Sequence, residues 1–287
     1  MATLKQIAAS TKSLQAYLDK LSKREKKALV AAIKTLEKRI VKLVEKLERE
    51  DGRLVSTQVN LKQAQALHAQ IGTLVDSIYG ATVSRYVRKD LARVVKRSEG
   101  YLSAITGEPQ KFAGVDKTFI RELTKLNLAQ FETLGSQSVD KVAKAMYEHL
   151  IGGGDFNSLK KTIRGVLTGH KDVLGRPMTQ YAKQMAFDTS RNFSNQVILA
   201  KADAIGLDRL IFYGDVIESS RPWCRRHAGK VFTEAEIAKL DKQTWVGKSG
   251  PWRTHRGGYS CRHGWVPVRK EWVKDKSTEV QDFFTEA

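Results

Sequence analysis

The sequence is nearly without cysteine, with two in 287 residues, Cys224 and Cys261. That excludes the disulfide framework on which small secreted folds depend. No apolar run approaches the ~20 residues that a membrane-crossing helix needs. The start, MATLKQIAAS, lacks the apolar core and small-residue cleavage site of a secretory leader. There is no internal repeat and no low-complexity tract. Negative charge is scarce, with 31 Asp and Glu against 50 Lys and Arg, a formal charge of +19. These absences predict a soluble chain made in the cytoplasm, with no membrane span. The charge favours a polyanionic neighbour, either nucleic acid, an anionic surface or an acidic protein. Its plainer account is a solvated, lysine-rich helical surface. A hydrophobic share of 41% is enough for real cores, and the length suits one large domain or two to three smaller ones.

What is present is mostly helical in pattern. Leu29, Ile33, Leu36, Ile40, Leu43 and Leu47 form a short heptad seam, and Asp51-Gly52 reads as the bend of a helical hairpin. A second long helix runs from Leu54 to about Ser103, with Val55, Val59, Leu61, Leu67, Ile71, Leu74, Val75, Ile78, Val83, Val87, Leu91 and Val94 at helical spacing for most of it. Its end is strongly basic, through Arg85, Arg88, Lys89, Arg93, Lys96 and Arg97. These six are the candidate nucleic-acid contacts, although cations also suit a helix C-terminus. Thr106 to Pro109 breaks the pattern. Beyond it, helices are expected over Thr118–Asn127, Val139–Leu150, from Asp155 or Asn157 to Leu167, and Met178–Ile205, the last with Tyr181, Met185, Phe193, Val197 and Ala200 on one side. Gly152-Gly153-Gly154 lacks the Lys-Ser/Thr of a nucleotide loop and reads as a helix stop.

From Leu207 the texture changes. Leu210–Tyr213, Val231–Thr233 and Trp265–Val268 are strand candidates, and Thr233 with Glu236 forms a capping box for a helix through Leu240. The expected fold is therefore mainly α. It has a long basic helical hairpin over 1–110, a second helical bundle over 111–206, and a small α+β module over 207–287 for which zinc is the candidate staple.

Residues 221–268 concentrate the unusual side chains: both cysteines, three of six histidines and four of five tryptophans. Cys224-x2-His227 and Cys261-x-His263 are two pairs of borderline-soft ligands separated by a long loop, which suits a tetrahedral zinc site. Gly257-Gly258 supplies a bend that lets the one-residue gap converge, and His255 is a substitute ligand. A small module gains folding free energy from such a metal. The competing accounts are buried free thiols, a 224–261 disulfide under oxidising conditions, and a metal-dependent nuclease that drafts His255 and Asp215.

The string Asp215-x5-Arg221-Pro222-Trp223-Cys224, then Gly229-Lys230-Val231-Phe232-Thr233, then Gly257-Gly258-Tyr259-Ser260-Cys261-Arg262-His263-x-Trp265-x-Pro267-Val268 resembles the C-terminal region of the Mu-F-like phage head morphogenesis proteins. Thr189, Arg191, Asn192, Ala200 and Gly206 are similar to the family's lead-in helix. Many members carry a Cys-x2-Cys and a later His-x2-Cys-Arg-Cys pattern. Here His227 and His263 stand in two of those positions. The resemblance implies a non-enzymatic minor structural protein of a tailed-phage head. It would be made in the host cytoplasm and lie in the virion, inside the head or at the portal vertex, as a low-copy component or oligomer. Its partners would be the portal protein or capsid shell and packaged double-stranded DNA, touched without sequence preference and in some cases followed out of the head. A nucleic-acid-binding protein unrelated to phage needs only the charge.

Overall fold

A computed structural model describes residues 3–273. The protein is mainly helical with a small sheet near its C-terminal end, as the sequence pattern predicts. No described helix is long and apolar enough to cross a membrane.

Helix α1, Leu4–Val44, has 41 residues, a length of about 60 Å at 1.5 Å per residue. Its buried stripe includes Leu29, Ile33, Leu36, Ile40 and Val44, and Leu47 is buried just beyond its end. The seam thus shifts one residue from the expected Leu43. Asp51-Gly52 forms the turn of a two-stranded ribbon, β1 (Arg49–Glu50) and β2 (Arg53–Leu54). Both turn residues have positive φ, +49° and +78°, the conformation of a type I′ turn, which favours Asp-Gly. Leu54 therefore belongs to the ribbon, and the next helix starts at Gln58 under a Thr57 cap.

That helical run comprises α2 (Gln58–Leu74), a π turn (Val75–Gly80), α3 (Ala81–Arg85), a second π turn (Tyr86–Asp90) and α4 (Leu91–Thr106). The sequence explains the π turns. Leu67, Ile71, Val75, Tyr79, Val83, Val87 and Leu91 recur at every fourth residue, and all are buried. On a regular α-helix a four-residue repeat drifts about 40° per step. The wider i→i+5 winding of a π turn takes that drift back and keeps the stripe on one face.

Helix α5, Val115–Ile151, is continuous where two helices were expected. Gly135 lies inside it and lets α5 approach the π turn closely, since a Cβ there would stand 3.3 Å from Val75 and 3.4 Å from Tyr79. Gly153, at φ +58°, ends the triple-glycine stop. Asp155 then caps α6 (Phe156–Leu167) by accepting from the Ser158 amide at 2.8 Å.

Helix α7, Met178–Ala204, departs from the amphipathic expectation. Between Ala186 and Leu199 it is buried nearly all round, while Tyr181 is 39% exposed. Polar residues fill much of this buried stretch, and their hydrogen bonds make burial affordable. A Schellman motif closes α7: Gly206 at φ +73°, with the Gly206 amide on Asp203 O and the Leu207 amide on Ala202 O.

The terminal module is a three-stranded antiparallel sheet in the order β4-β3-β5. The strands are β3 (Arg209–Tyr213), β4 (Val231–Phe232) and β5 (Gly264–Val268). Three short helices accompany it: α8 (Pro222–His227), α9 (Glu234–Asp241) and α10 (Trp252–His255). The Thr233/Glu236 capping box starts α9. Pro267 pairs with Leu210 on edge strand β5, where a missing N–H is tolerated.

The chain divides into two compact units. One draws on Met1–Ser22, Asp90–Thr124 and Phe187–Ala287, the other on Lys23–Lys89 and Lys125–Ala186. This grouping cuts across boundaries at 110 and 206, because α1, α5, α7 and the Gln58–Thr106 run each contribute to both. The second unit holds a fully buried glutamate, Glu25, whose carboxylate takes Arg24 and Arg85, each at 2.7 Å.

Candidate metal centre

Three elements deliver the site's side chains. Arg221, in extended conformation, precedes Pro222 at the first position of α8, where proline's fixed φ favours helix initiation; Cys224 follows on the first turn. After α10 the chain turns sharply through Arg256 (φ +57°), Gly258 (+97°) and Ser260 (+56°), bringing Cys261 and His263 to the start of β5. The ring of His263 stacks on Phe212 of β3, with centroids 5.0 Å apart and planes 8° from parallel.

Cys224, Cys261 and His263 form a group whose ligand atoms all lie within 4.8 Å of one another. The two Sγ atoms are 3.9 Å apart, and Cys261 Sγ is 3.7 Å from His263 Nδ1. Metal–sulfur bonds of about 2.3 Å at the tetrahedral angle put two sulfurs about 3.8 Å apart, and a nitrogen ligand slightly nearer. The two distances match edges of a tetrahedral site, and both cysteines are free. The group can hold a metal ion.

The surrounding backbone is built closely around it. The Gly257 amide donates to Cys261 Sγ at 3.3 Å, and a Cβ on Gly257 would lie 2.3 Å from Cys224 Sγ. Gly214 packs equally close to His263, where a Cβ would stand 2.8 Å from its Cα. Only glycine fits either place. Cys224, Cys261 and His263 are 2%, 3% and 3% exposed, so no bulk substrate reaches them.

Arg256 organises the loop. It is 1% exposed. Its Nη1 donates to the carbonyls of Cys261 (2.6 Å) and His263 (3.0 Å), and its Nε and Nη2 donate to Asn192 Oδ1. Neighbouring residues of α7 read the same loop: Asp188 accepts from the Ser260 amide, and Asn195 bridges Arg253 O and the Trp265 amide. Asp188, Asn192 and Asn195 sit at i, i+4 and i+7, one helical face. Spacing reasoning missed Arg256 and this polar face. Their signal was a polar residue at helical period in a run otherwise rich in small and apolar side chains.

The charge balance at the pair favours the thiolate on Cys261. Its thiol is pushed well down by the hydrogen bond with Cys224, against burial, and then by His263 and Arg256; Cys224 is pushed up by the same hydrogen bond and by burial. A metal ligand must be deprotonated, and this site begins partway there.

His227, the other predicted ligand, stays outside the group. Its Nδ1 bonds the Trp223 carbonyl at 2.8 Å, and its ring packs against Trp223, Phe232 and Trp252. The helical winding of α8 explains this: residue i+4 from Trp223 folds back on that carbonyl. His255 is likewise outside, with Nδ1 on Thr254 Oγ1 at 2.9 Å. Asp215 is exposed beside a separate cavity shared with Lys12, Arg191 and Arg262.

The other motif residues brace the module. The Arg221 guanidinium donates to the Tyr259 carbonyl. Gly229, at φ +78°, returns its amide to Phe212 O, and Lys230 O takes the Phe212 amide. A Cβ on Gly258 would collide with Gly247 O at 1.8 Å. Trp265 Nε1 donates to Trp252 O.

The basic candidates separate. Arg93, Lys96 and Arg97 are exposed and line a groove of about 620 Å³ with Ser10, Ser13 and Tyr17, and Arg97 covers the Tyr17 ring at 5.1 Å. Arg93 also pairs with Asp90 at 3.0 Å. Arg88 and Lys89 are exposed in the other unit, where Arg85 is a counter-charge for buried Glu25.

Searches of known protein families, functionally characterised proteins and solved structures find no match to this chain.

Proposed function

We propose that the protein is a minor structural component of a tailed-phage head, acting in capsid assembly beside the portal and contacting packaged DNA. The observation that carries the reading is the sealed cluster of Cys224, Cys261 and His263, built by the same stretch whose residues resemble the Mu-F-like head morphogenesis proteins. Its construction suits fastening rather than turnover. A catalytic metal needs its open position to be reachable by substrate, whereas these three ligands are buried and packed against glycine backbone, so the fourth position they leave does not face bulk solvent. Zinc is the metal that best suits two thiolates and an imidazole. The groove bearing Arg93, Lys96 and Arg97 supports phosphate contacts independent of sequence.

The test has three readouts. The protein should co-purify with heads at low, fixed copy number; absence from both proheads and virions overturns the reading. Elemental analysis should give about one zinc per chain, lost in Cys261→Ser. Purified protein should bind duplex DNA with an affinity that falls steeply with salt, and the combined replacement of Arg93, Lys96 and Arg97 by Gln should flatten that slope by about three units on the log–log plot. Cleavage of DNA with Mg²⁺, Mn²⁺ or Zn²⁺ would favour a nuclease instead.

A further inference from the structure

A small cavity of about 20 Å³ lies behind the metal centre, walled by residues including Thr11, Tyr101, Arg191, Ser194, Arg256 and His263. Three buried polar atoms without a protein partner belong to residues of this one wall: Arg191 Nε, Ser194 Oγ and His263 Nε2. The parent side chains are 3%, 2% and 3% exposed, so bulk solvent does not satisfy them. Both Nη atoms of Arg191 already have partners. Its Nη1 donates to Gln15 Oε1 at 2.6 Å, its Nη2 donates to the Asp19 carboxylate, and the guanidinium lies over the Phe187 ring.

Burying one such atom without a hydrogen bond costs about 1–3 kcal/mol in proteins, and three around one space point to a shared ligand. The space is the right size. A cavity holds a water when roughly 10–15 Å³ is open to the water centre and two to four polar groups face it. Asp19 already neutralises Arg191, which argues against a halide.

We propose that one internal water occupies this cavity, bridges Arg191, Ser194 and His263, and makes Arg191 and Ser194 positioning residues for the metal centre. The inference rests on the metal-centre reading for its consequence, though not for the water itself. The donor and acceptor roles are compatible. Arg191 Nε is a donor only. His263 turns Nδ1 toward Cys261, so a metal-binding His263 keeps its lone pair on Nδ1 and its proton on Nε2. The water oxygen accepts from both N–H groups and donates to Ser194 Oγ. The second proton is left for Tyr101 Oη or Thr11 Oγ1 on the same wall. The water thereby fixes the His263 tautomer, as the outer partners of metal-ligating histidines do elsewhere.

The experiment uses the full chain. A crystal structure at high resolution should show one water peak within hydrogen-bond distance of all three atoms. The ¹⁵N shifts of the His263 ring should report a protonated Nε2. Ser194→Val, which removes the hydroxyl, should expel the water and weaken zinc binding about 10- to 100-fold in chelator competition. Ser194→Thr, which keeps a hydroxyl, should restore most of that affinity. Absence of the peak in the wild type overturns the proposal. So does a bromide anomalous peak in its place, or a Ser194→Val protein with unchanged zinc affinity. If the wild type binds no zinc, the metal reading fails, and the density and the tautomer alone decide the water.

Discussion

The second compact unit and the terminal module build their interiors from different chemistry. In the unit formed by Lys23–Lys89 and Lys125–Ala186 the core is largely aliphatic: Leu29, Ile33, Leu36, Ile40, Leu67, Ile71 and Val75 are among its buried residues. In the module, Phe212, Trp223, Phe232, Trp252 and Trp265 gather with both cysteines into one cluster. The first interior is a stripe repeated along helices, and each residue does a small, replaceable share. The second is a knot with no repeat, where a few large rings and one loop define everything. A stripe tolerates local change because neighbours repack; a knot has no second copy of any part.

The sharpest way to break this contrast is to remove the zinc proposed as the knot's fastener. All five tryptophans, at 223, 245, 252, 265 and 272, lie in the module region, so tryptophan emission reports that region while far-UV circular dichroism is dominated by the helices. Zinc binding supplies about 10–16 kcal/mol in zinc-finger peptides, and a fraction of that exceeds the stability of a small module. Cys261→Ser, or a strong chelator, should shift tryptophan emission to the red while most of the helical signal at 222 nm persists. Parallel loss of both signals would mean that the two interiors are not separable.

Next in size is Trp252→Ala. Trp252 is fully buried, and its ring stands 4.9 to 5.3 Å from those of Trp223, His227, Phe212, Phe232 and Trp265. Removing it should cost about 3–5 kcal/mol, read from the emission transition in urea. A cost below 1 kcal/mol would show that the knot repacks like a stripe.

The same contrast explains what was legible in the sequence. Periodicity exposed the helical interior: the seam of α1, the stripe from Leu67 to Leu91 and the Asp51-Gly52 turn. Its errors were errors of phase, such as Leu43 for Val44, or Val59 counted inward although it is exposed. The π turns were legible in principle, since a strict four-residue repeat cannot stay on one face of an ordinary α-helix. In the module only residue types carried a signal. The abundance of Cys, His and Trp marked the place and gave Cys224, Cys261 and His263, but spacing also nominated His227. Nothing local distinguishes a histidine that turns toward two cysteines from one that folds back on a carbonyl four residues earlier. Arg256 was invisible for a related reason. Its partners, Asn192 and the carbonyls of Cys261 and His263, are specified by tertiary geometry alone.

A smaller effect is expected from Asn60→Ala, which tests the helical side. Asn60 is fully buried; its Oδ1 accepts from the Glu48 amide, and its Nδ2 donates to Glu48 O and Val55 O. It ties the entrance of α2 to the ribbon that precedes it. Losing these bonds should cost about 1–3 kcal/mol, seen as a lower urea midpoint at 222 nm with tryptophan emission of the folded protein unchanged. A change in that emission would couple the ribbon to the knot and weaken the contrast.

The smallest effect expected is a pH dependence confined to the module. Burial is the main cause that pushes His227 below its ordinary value; nearby Lys230 and Arg226 act in the same direction, while the Trp223 carbonyl opposes them. His255 is lowered by burial and then by Arg256. A histidine whose folded pKa is depressed binds fewer protons folded than unfolded, so stability falls as pH drops from about 6.5, the unfolded value, toward the folded pKa, and levels below it. The urea midpoint of the emission transition should therefore decline over that window. Ligand protonation at the metal centre works in the same direction, so the informative quantity is a difference between proteins at equal zinc. His227→Phe keeps a ring against Trp223 and Phe232 but cannot take a proton. Its pH slope should be shallower than the wild type's, and adding His255→Gln should reduce it further. An unchanged slope in the double variant would assign the whole acid sensitivity of the knot to its metal ligands.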